Sequence, residues 1–312
     1  MPQPKVTIVG AGQVGATAAL LLALKGLADV VLVDVAEGLP QGKALDMMHA
    51  RSVERFDATV TGTNDYAETA GSDVVVVTAG LPRKPGMSRD DLLAANAAIV
   101  RAVIPAAVDA SPDAVFICVT NPLDIMVDLA WKISGLPAQR IFGMGGVLDS
   151  ARFTYAIAEA TGAPLEAIDA LAIGAHGDAM VPMPRLSTVS GRPLTEVVSA
   201  EECEALVART VNGGAEVVAL LKTGSAFYAP AASVVEMVEA VLTDSGRVLP
   251  ACARLEGEYG VTGVHMSVPA RLGAAGVVEV VEMPLTDEEL AALRASAATI
   301  ADGIAELEKT GA

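Results

Sequence analysis

One histidine in this sequence stands in a setting that suits proton transfer. His176 lies in the turn Gly174–Asp178 (GAHGD), directly after an apolar run. An imidazole gains and loses a proton near neutral pH, and flanking glycines leave the ring accessible to a substrate. The other two histidines, His49 and His265, are weaker candidates. Because a lone histidine is more often structural than catalytic, His176 is a candidate general acid–base with a structural role as its alternative.

Asp149 and Arg152 form a second candidate group, three residues apart in the sequence. On a helix, residues with this spacing lie on the same face, so the two side chains are predicted to point the same way. A surface ion pair has the same spacing. The pattern alone therefore leaves open whether they serve a site.

Positive charge is concentrated in the segment Gly80–Arg89, which carries Arg83, Lys84 and Arg89. The segment follows an apolar run and precedes a long helical pattern. It is therefore predicted to be a loop at the carboxyl end of a sheet, where ligands bind in doubly wound folds. The chain has a formal net charge of −17, so an anionic substrate would need such a local cluster of cations. A solvated basic loop is the alternative.

A glycine-rich turn, Gly10–Gly15 (GAGQVG), directly follows the strand-like run Val6–Val9 and opens a helical pattern. In dinucleotide-binding folds the first glycine permits the tight turn, Gly12 would let the backbone approach a pyrophosphate, and the third allows close helix–strand packing. Asp34 ends the next strand, where its carboxylate can bind ribose hydroxyls and repel a 2′-phosphate. The motif favours NAD over NADP, although FAD and S-adenosylmethionine sites use similar turns.

Asn121 follows another apolar run, Val115–Val119, and precedes Pro122. Its position at a strand end predicts that it lies at the same edge of the sheet as the glycine-rich turn. Asparagine there is often only a turn former, so Asn121 is a candidate that needs support from elsewhere in the chain.

The first half of the chain predicts the sheet that would position these residues. Its predicted strands are Val6–Val9, Val30–Val33, Thr59–Thr61, Val74–Thr78, Val115–Val119 and Arg140–Gly143. Ala-rich helical patterns, such as Gly12–Gly26 and Arg89–Ala110, alternate with them. Apolar strands alternating with helices are typical of a parallel sheet covered on both faces. The fold is therefore predicted to be α/β, with a Rossmann-type doubly wound parallel sheet.

After about Gly146 the pattern changes to mixed helices and antiparallel strands. The elements predicted are a helix after Asp149, strands Leu171–Ile173 and Arg185–Val189, helices Ala200–Lys222 and Ala231–Leu242, an antiparallel pair Val248–Leu255 and Val261–Val268, and a terminal helix from Thr286 to about Lys309. We therefore predict a dinucleotide-binding domain over residues 1–146 and an α+β catalytic domain over residues 147–312. A ligand cleft is expected at their packed junction.

Composition excludes several classes of protein. The chain has 312 residues, 52% of them hydrophobic, which is long and apolar enough for two packed domains. Its acidity argues against a nucleic-acid partner. The longest apolar run, Ala16–Leu24, is far shorter than the roughly 20 residues of a membrane span, and no signal peptide is expected. The three cysteines form no close pair, so we predict free thiols in a cytoplasmic protein.

Taken together, these motifs resemble the lactate/malate dehydrogenase family over nearly the whole chain. The glycine-rich turn, Ser88-Arg89, Thr120-Asn121-Pro122, the segment Leu148–Phe153 and the segment Gly174–Pro182 follow in the family's order. Within the family, the segments Leu81–Leu93, Gly174–Pro182 and Gly224–Tyr228 are most similar to the bacterial malate dehydrogenases with lactate-dehydrogenase-like sequences.

The resemblance implies a role for each candidate residue. His176 would exchange a proton with the substrate's hydroxyl group, and Asp149 would hold its imidazole. Arg152 would bind the C1 carboxylate, Arg89 would polarise the carbonyl oxygen as the loop closes, and Asn121 would bind near that oxygen and the nicotinamide. No metal is implied. The cofactor-binding residues implied for NAD are Gly10, Gly12, Gln13, Val14, Gly15, Asp34, Asn96, Val119 and Asn121.

The resemblance also implies which residue selects the substrate. The position that matches Arg83 is usually glutamine in the family's lactate enzymes, whereas a guanidinium there would pair with the second carboxylate of malate or oxaloacetate. Lys84 is the rival for this role. Lactate enzymes often carry threonine near the position of Ala226, so the alanine is compatible with a bulkier substrate but adds little.

Together the resemblance and Arg83 imply the reversible oxidation of malate to oxaloacetate with NAD as hydride acceptor. Two alternatives to this reaction remain. A lactate or broader 2-hydroxyacid dehydrogenase would use the same catalytic residues. A catalytically idle NAD-binding scaffold would be expected to lack one of His176, Asp149, Arg152 and Arg89, and all four are present. Family membership further implies a homotetramer or homodimer with a small dicarboxylate as the other partner.

Overall fold

The computed structural model describes residues 3–82 and 88–310. Residues 83–87 fall outside this part of the chain, so Arg83 and its rival Lys84, the two candidates for substrate selection, lie outside the described residues. The helices, strands and contacts of the fold are those of residues 3–82 and 88–310.

Six parallel strands form the first half of the sheet. They are β1 (Lys5–Val9), β2 (Asp29–Val33), β3 (Val60–Thr63), β4 (Val74–Val77), β5 (Val115–Cys118) and β6 (Ile141–Gly143). Their spatial order is β3-β2-β1-β4-β5-β6, with every neighbouring pair parallel. This is the order of a doubly wound dinucleotide-binding sheet, so the predicted fold class is confirmed. The central strands β1, β2 and β4 are rich in valine because both faces of the sheet are covered there.

In the part of the chain that the structure describes, α-helices follow β1, β2, β4 and β5: α1 (Gln13–Leu24), α2 (Leu39–Glu54), α3 (Arg89–Ala110) and α4 (Leu123–Ser134). Among the described residues, α3 alone has the length and apolar composition of a membrane span. Its side chains Leu93, Val100 and Ile104 are buried in a cluster with sheet residues such as Phe116. Burial against the sheet therefore accounts for the apolar character of α3.

In the second half, residues 144–310 form five α-helices and eight strands. The helices are α5 (Gly146–Thr161), α6 (Leu194–Val197), α7 (Ala200–Leu221), α8 (Tyr228–Leu242) and α9 (Asp287–Thr310). The strands are β7 (Ile168–Asp169), β8 (Ala172–Gly174), β9 (Met180–Pro182), β10 (Thr188–Val189), β11 (Arg192–Pro193), β12 (Val248–Glu256), β13 (Thr262–Gly273) and β14 (Gly276–Val280). Strands β7, β10 and β11 form a small separate sheet.

The two halves share one hydrogen-bonded sheet. The predicted antiparallel pair is present as β12 and β13. Cys252 of β12 pairs with Gly143 of β6, and Ser267 of β13 pairs with Gly174 of β8. The strand that ends just before His176 is thus attached to the sheet that carries the glycine-rich turn. This continuity is absent from the sequence prediction, because single-residue pairings leave no pattern along the chain.

Some predicted boundaries differ from the structure. Helix α5 begins at Gly146, so Asp149 lies in its first turn rather than before it. The strand predicted over Arg185–Val189 is reduced to Thr188–Val189. The short strands β9 and β14 were not predicted, because pairing with a neighbouring strand rather than local alternation determines them.

A cluster of charged and titratable side chains lies between α4 and the strands β12 and β13. The carboxylate of Asp128 is 3.2 Å from His265 Nδ1, 3.3 Å from Arg254 Nη1 and 2.9 Å from Lys132 Nζ. His265 is fully buried, and its Nε2 has no hydrogen-bond partner among the described residues. Burial lowers the pKa of His265, and the Asp128 carboxylate only partly opposes that effect. The fold therefore favours the neutral imidazole.

We expect His265 to make stability fall in mild acid. Its folded-state pKa lies below the unfolded value, so its contribution is complete above about pH 6.5 and is lost as pH falls below that. In His265→Phe, the difference in unfolding free energy between pH 7.5 and pH 5.5 should shrink by on the order of 1 kcal/mol. Urea unfolding at fixed protein concentration measures it, with the exposed His49→Gln as control. An unchanged pH dependence in His265→Phe would contradict this account.

Candidate active site

The glycine-rich turn has the close packing that the motif requires. Gly10 has a φ of +105°, in the region that favours glycine. A Cβ on Gly15 would lie 2.0 Å from the Gly10 carbonyl oxygen, so the start of α1 can approach β1 only without a side chain. A Cβ on Gly12 would meet nothing within 4 Å. The backbone at Gly12 therefore borders open space, in which a pyrophosphate can approach.

The first turn of α1 has free donors that suit a phosphate group. Gly12 is the N-cap residue and provides no side-chain cap, and no acidic residue lies in the first turn. The N–H groups there are therefore available to an anion. The predicted residues Gln13 and Val14 begin this helix. The side chain of Gln13 is exposed, and Val14 packs partly against the core.

Asp34 lies against this turn, as its position after β2 predicts. Its Oδ2 accepts a hydrogen bond from Ala11 N at 2.7 Å, and its Oδ1 accepts one from Ala36 N at 2.9 Å. Each carboxylate oxygen retains a lone pair, which suits the two hydroxyls of an adenosine ribose. The glycine turn, the open space at Gly12 and this carboxylate together fit NAD.

Asn96 connects the ends of β4 and β5. Its Nδ2 donates to Asn121 O at 2.7 Å and to Leu81 O at 3.2 Å, and its Oδ1 accepts from Leu81 N at 2.7 Å. Asn96 is buried, and its amide is fully engaged by backbone groups. Asn96 is predicted to bind the cofactor. With its amide bonded to the backbone, it would support the cofactor site by holding the segments after β4 and β5 in place. Val119 lies beside the same edge and is partly buried, and Asn121 is exposed there.

The structure brings His176 and Asp149 into contact, with Nδ1 of the imidazole 2.8 Å from Asp149 Oδ2. The carboxylate side chain is 2% exposed and the imidazole 12% exposed. His176 follows the end of β8, and Asp149 lies in the first turn of α5. Burial lowers the pKa of His176, but the charge and hydrogen bond of Asp149 outweigh it, so the net pKa lies above the usual value.

Arg152 shares the same carboxylate. Its Nη1 donates to Asp149 Oδ1 at 3.1 Å, so the two oxygens of Asp149 serve an arginine and a histidine separately. Helix α7 passes over this arginine at two glycines: a Cβ on Gly213 would lie 3.2 Å from Arg152 Cδ, and one on Gly214 would lie 3.5 Å from Nη2. This glycine pair was not predicted; its signal in the sequence is two adjacent glycines inside a helical pattern.

A second buried carboxylate, Asp124 of α4, was also missed. Its Oδ2 accepts a hydrogen bond from the backbone N–H of His176 at 2.8 Å, and its Oδ1 accepts from Cys252 Sγ at 3.3 Å. Burial raises the pKa of Asp124 to about 6, although the proximity of His176 opposes the rise. Asp124 therefore fixes the backbone of the histidine. Its sequence signal was slight, since an acid in the first turn of a helix is common.

Arg89 lies apart from this contact group. It is the first residue of α3, and its Nη2 pairs with Asp178 Oδ2 at 3.1 Å, with side chains 80% and 87% exposed. An ion pair this exposed contributes little to stability. Because Asp178 is two residues from His176, the pair nonetheless places the Arg89 side chain beside the histidine turn.

Across residues 3–82 and 88–310, no group of three or more histidine, cysteine or acidic side chains is arranged to hold a metal ion. The three cysteines are all free thiols, as predicted. The described site is thus an arrangement of acid–base and cationic side chains beside a dinucleotide-binding turn.

Comparisons with known proteins match nearly the whole chain to one family. The family model described as "lactate/malate dehydrogenase, NAD binding domain" matches residues 4–143, and that described as "lactate/malate dehydrogenase, alpha/beta C-terminal domain" matches residues 146–310. The malate dehydrogenase of Roseiflexus castenholzii is 54% identical over 98% of this chain and 99% of its own length. That of Thermomicrobium roseum is 56% identical over 94% of each chain.

Solved structures are similar over the same extent. The malate dehydrogenase of Salinibacter ruber is 46% identical, with a TM-score of 0.94 over 98% of both chains. The lactate dehydrogenase of Cryptosporidium parvum, complexed with lactic acid and β-nicotinamide adenine dinucleotide, is 41% identical, with a TM-score of 0.96 over 99% of both chains. The fold alone therefore does not separate lactate from malate enzymes. The chain belongs to the lactate/malate dehydrogenase family, and its cofactor is NAD.

Proposed function

We propose that this chain catalyses the reversible oxidation of (S)-malate to oxaloacetate with NAD. The observation that carries the proposal is the contact of His176 and Arg152 with the two oxygens of one buried carboxylate, Asp149. It is supported by relatives named malate dehydrogenase at above 50% identity over nearly the full chain. A scaffold that only binds NAD would not need the buried group formed by His176, Asp149 and Arg152.

His176 is the proton acceptor in malate oxidation. Its Nδ1 faces Asp149 Oδ2, so the Nδ1–H tautomer leaves Nε2 as the lone-pair atom that accepts the hydroxyl proton. Asp149 stabilises the imidazolium that results. In the reverse direction the same Nε2–H returns the proton to the carbonyl oxygen. The hydride that leaves carbon C2 of malate would be accepted by bound NAD, and in the reverse direction NADH would return it.

Arg152 is the group that binds the C1 carboxylate. One of its nitrogens is engaged by Asp149, and the remaining donors form a planar fork that matches a carboxylate. The side chain is 20% exposed, which leaves it accessible to a substrate. Asp149 thus sets the distance between the proton-transfer group and the carboxylate anchor, because it contacts both.

Arg89 and Asn121 act at the C2 oxygen of the substrate, which is a hydroxyl in malate and a carbonyl in oxaloacetate. Arg89 leaves its exposed partner Asp178 at little cost in free energy and turns toward the carbonyl oxygen, where negative charge develops. Asn121 adds a hydrogen bond near that oxygen and the nicotinamide. Both roles rest on the family resemblance, on the position of Arg89 at the start of α3 and on that of Asn121 after β5.

Arg83 selects the dicarboxylate. This part of the proposal rests on sequence, since Arg83 lies outside the described residues. In a chain with a net charge of −17, a second substrate carboxylate in a closed site needs its own cation. The alternative is a lactate or broader 2-hydroxyacid dehydrogenase, and the names of the relatives with above 50% identity do not favour it.

The organisation around this reaction is proposed with it. The division into a cofactor domain (1–146) and a catalytic domain (147–312) is supported by the start of α5 at Gly146. A cytoplasmic homotetramer or homodimer that serves the tricarboxylic acid cycle is supported by the family and by exposed apolar side chains, such as Leu45 and Val53 of α2. The substrate is a small dicarboxylate, and no nucleic acid or membrane is involved.

A paired-substrate assay tests the function directly. NADH oxidation should be much faster with oxaloacetate than with pyruvate, and NADPH should be a poor replacement because Asp34 would repel its 2′-phosphate. Faster turnover of pyruvate would replace this proposal with the lactate alternative. Tight NADH binding without turnover of either substrate would favour the scaffold.

Replacement of Arg83 tests the specificity. Arg83→Gln should lower kcat/KM for oxaloacetate by on the order of 10²–10³-fold, because one substrate charge would be left unpaired. Pyruvate should become relatively more favourable. Lys84→Gln is the matched control and should change the ratio little. Unchanged selectivity in Arg83→Gln, or a large loss in Lys84→Gln alone, would exclude Arg83 as the selector.

Replacement of Asp149 tests the acid–base assignment. Oxaloacetate reduction needs protonated His176, so its rate falls as pH rises through the His176 pKa, which Asp149 raises. Asp149→Asn should move that fall to lower pH and reduce kcat by at least about 100-fold. The exposed carboxylate of Asp169 provides a control, Asp169→Asn, that should leave the profile in place. An unshifted pH profile in Asp149→Asn would refute the assignment.

A further inference from the structure

A lysine from α2 contacts the glycine-rich turn. Lys43 Nζ donates to Ala11 O at 2.7 Å and to Gly12 O at 3.3 Å. The lysine is 32 residues from Ala11 in the sequence, and it is half-buried. It therefore holds the backbone of the turn from the carbonyl side, while Asp34 holds the Ala11 N–H.

The charge of Lys43 is not neutralised by a neighbouring acid. Within the described ranges it has no carboxylate within 4.0 Å, whereas Lys25 pairs with Glu239 and Lys132 with Asp128 and Glu308. An ammonium has three N–H donors. Two are given to the carbonyls of the turn, and the described residues provide no partner for the third.

A cation at this point would oppose the negative charge that the cofactor and the chain bring together here. The diphosphate of NAD carries two negative charges, Asp34 adds a third close by, and the chain as a whole is strongly acidic. The amino end of α1 offers only about half a positive charge. Lys43 contacts the carbonyl oxygen of Gly12. Gly12 is also the residue that borders the open space in which the diphosphate can approach.

We propose that Lys43 is a cofactor-binding residue that gives its third N–H to the diphosphate–ribose part of NAD while it positions the Ala11–Gly12 turn. The inference deepens the NAD-dependent function proposed above and rests on it. Lys43 takes no part in proton transfer, so its effect should fall on cofactor affinity rather than on the rate at saturation.

The experiment measures NADH binding by fluorescence at low and high salt. Lys43→Met should weaken binding by at least about tenfold at low salt, because a charge interaction near a protein surface is at least this strong, and should reduce the salt dependence of binding. The KM for NADH should rise and kcat should change little. Lys43→Arg should retain most of the affinity, because it keeps the charge.

Lys5→Met is the matched control. Lys5 Nζ also donates to two backbone carbonyls, those of Glu68 and Ala70, but it lies at the opposite end of β1 from the turn. This variant loses the same charge and the same kind of hydrogen bonds, and it should bind NADH like the unaltered chain. A loss in Lys5→Met equal to that in Lys43→Met would overturn the inference.

Two further outcomes separate this inference from the function on which it rests. If the unaltered chain binds NADH and Lys43→Met binds it equally well, or is weakened to the same extent at both salt concentrations, the contact with the cofactor is refuted and the NAD-dependent function stands. If the unaltered chain does not bind NADH at all, both are overturned.

Discussion

One buried carboxylate organises the chemistry of this protein. Asp149 is almost fully enclosed and gives one oxygen to His176 and the other to Arg152. A buried charge is stable only when it is paired and hydrogen-bonded, and here both partners are groups that the reaction needs. Removal of either would leave the carboxylate undercompensated, so structural and catalytic requirements fall on the same three residues.

The sheet determines where that carboxylate can act. Strand β8 ends next to His176 and belongs to the same hydrogen-bonded sheet as β1, which ends at the glycine-rich turn. Asp124 adds a link from α4 to the His176 backbone. The proton-transfer group and the cofactor turn are therefore held by one continuous framework.

Sequence predicted the parts of the site that depend on local pattern. The glycine turn, Asp34 and the parallel strands follow from spacing and from β-branched runs, and His176, Asp149 and Arg152 were found from motifs. Asp124, Lys43 and the Gly213–Gly214 pair were missed, because each acts on a residue distant in sequence through a backbone group or through the space it leaves. No periodicity along the chain records such contacts.

The two glycines of α7 imply a trade-off between stability and activity. A glycine inside a helix costs about 0.5–1 kcal/mol relative to alanine, so α7 is weakened where it crosses Arg152. At Gly214 a methyl group would make an ordinary contact, but at Gly213 it would press against the arginine stem. An alanine would therefore fit at Gly214 without rearrangement, whereas at Gly213 it would require the side chain of Arg152 to shift by a few tenths of an ångström.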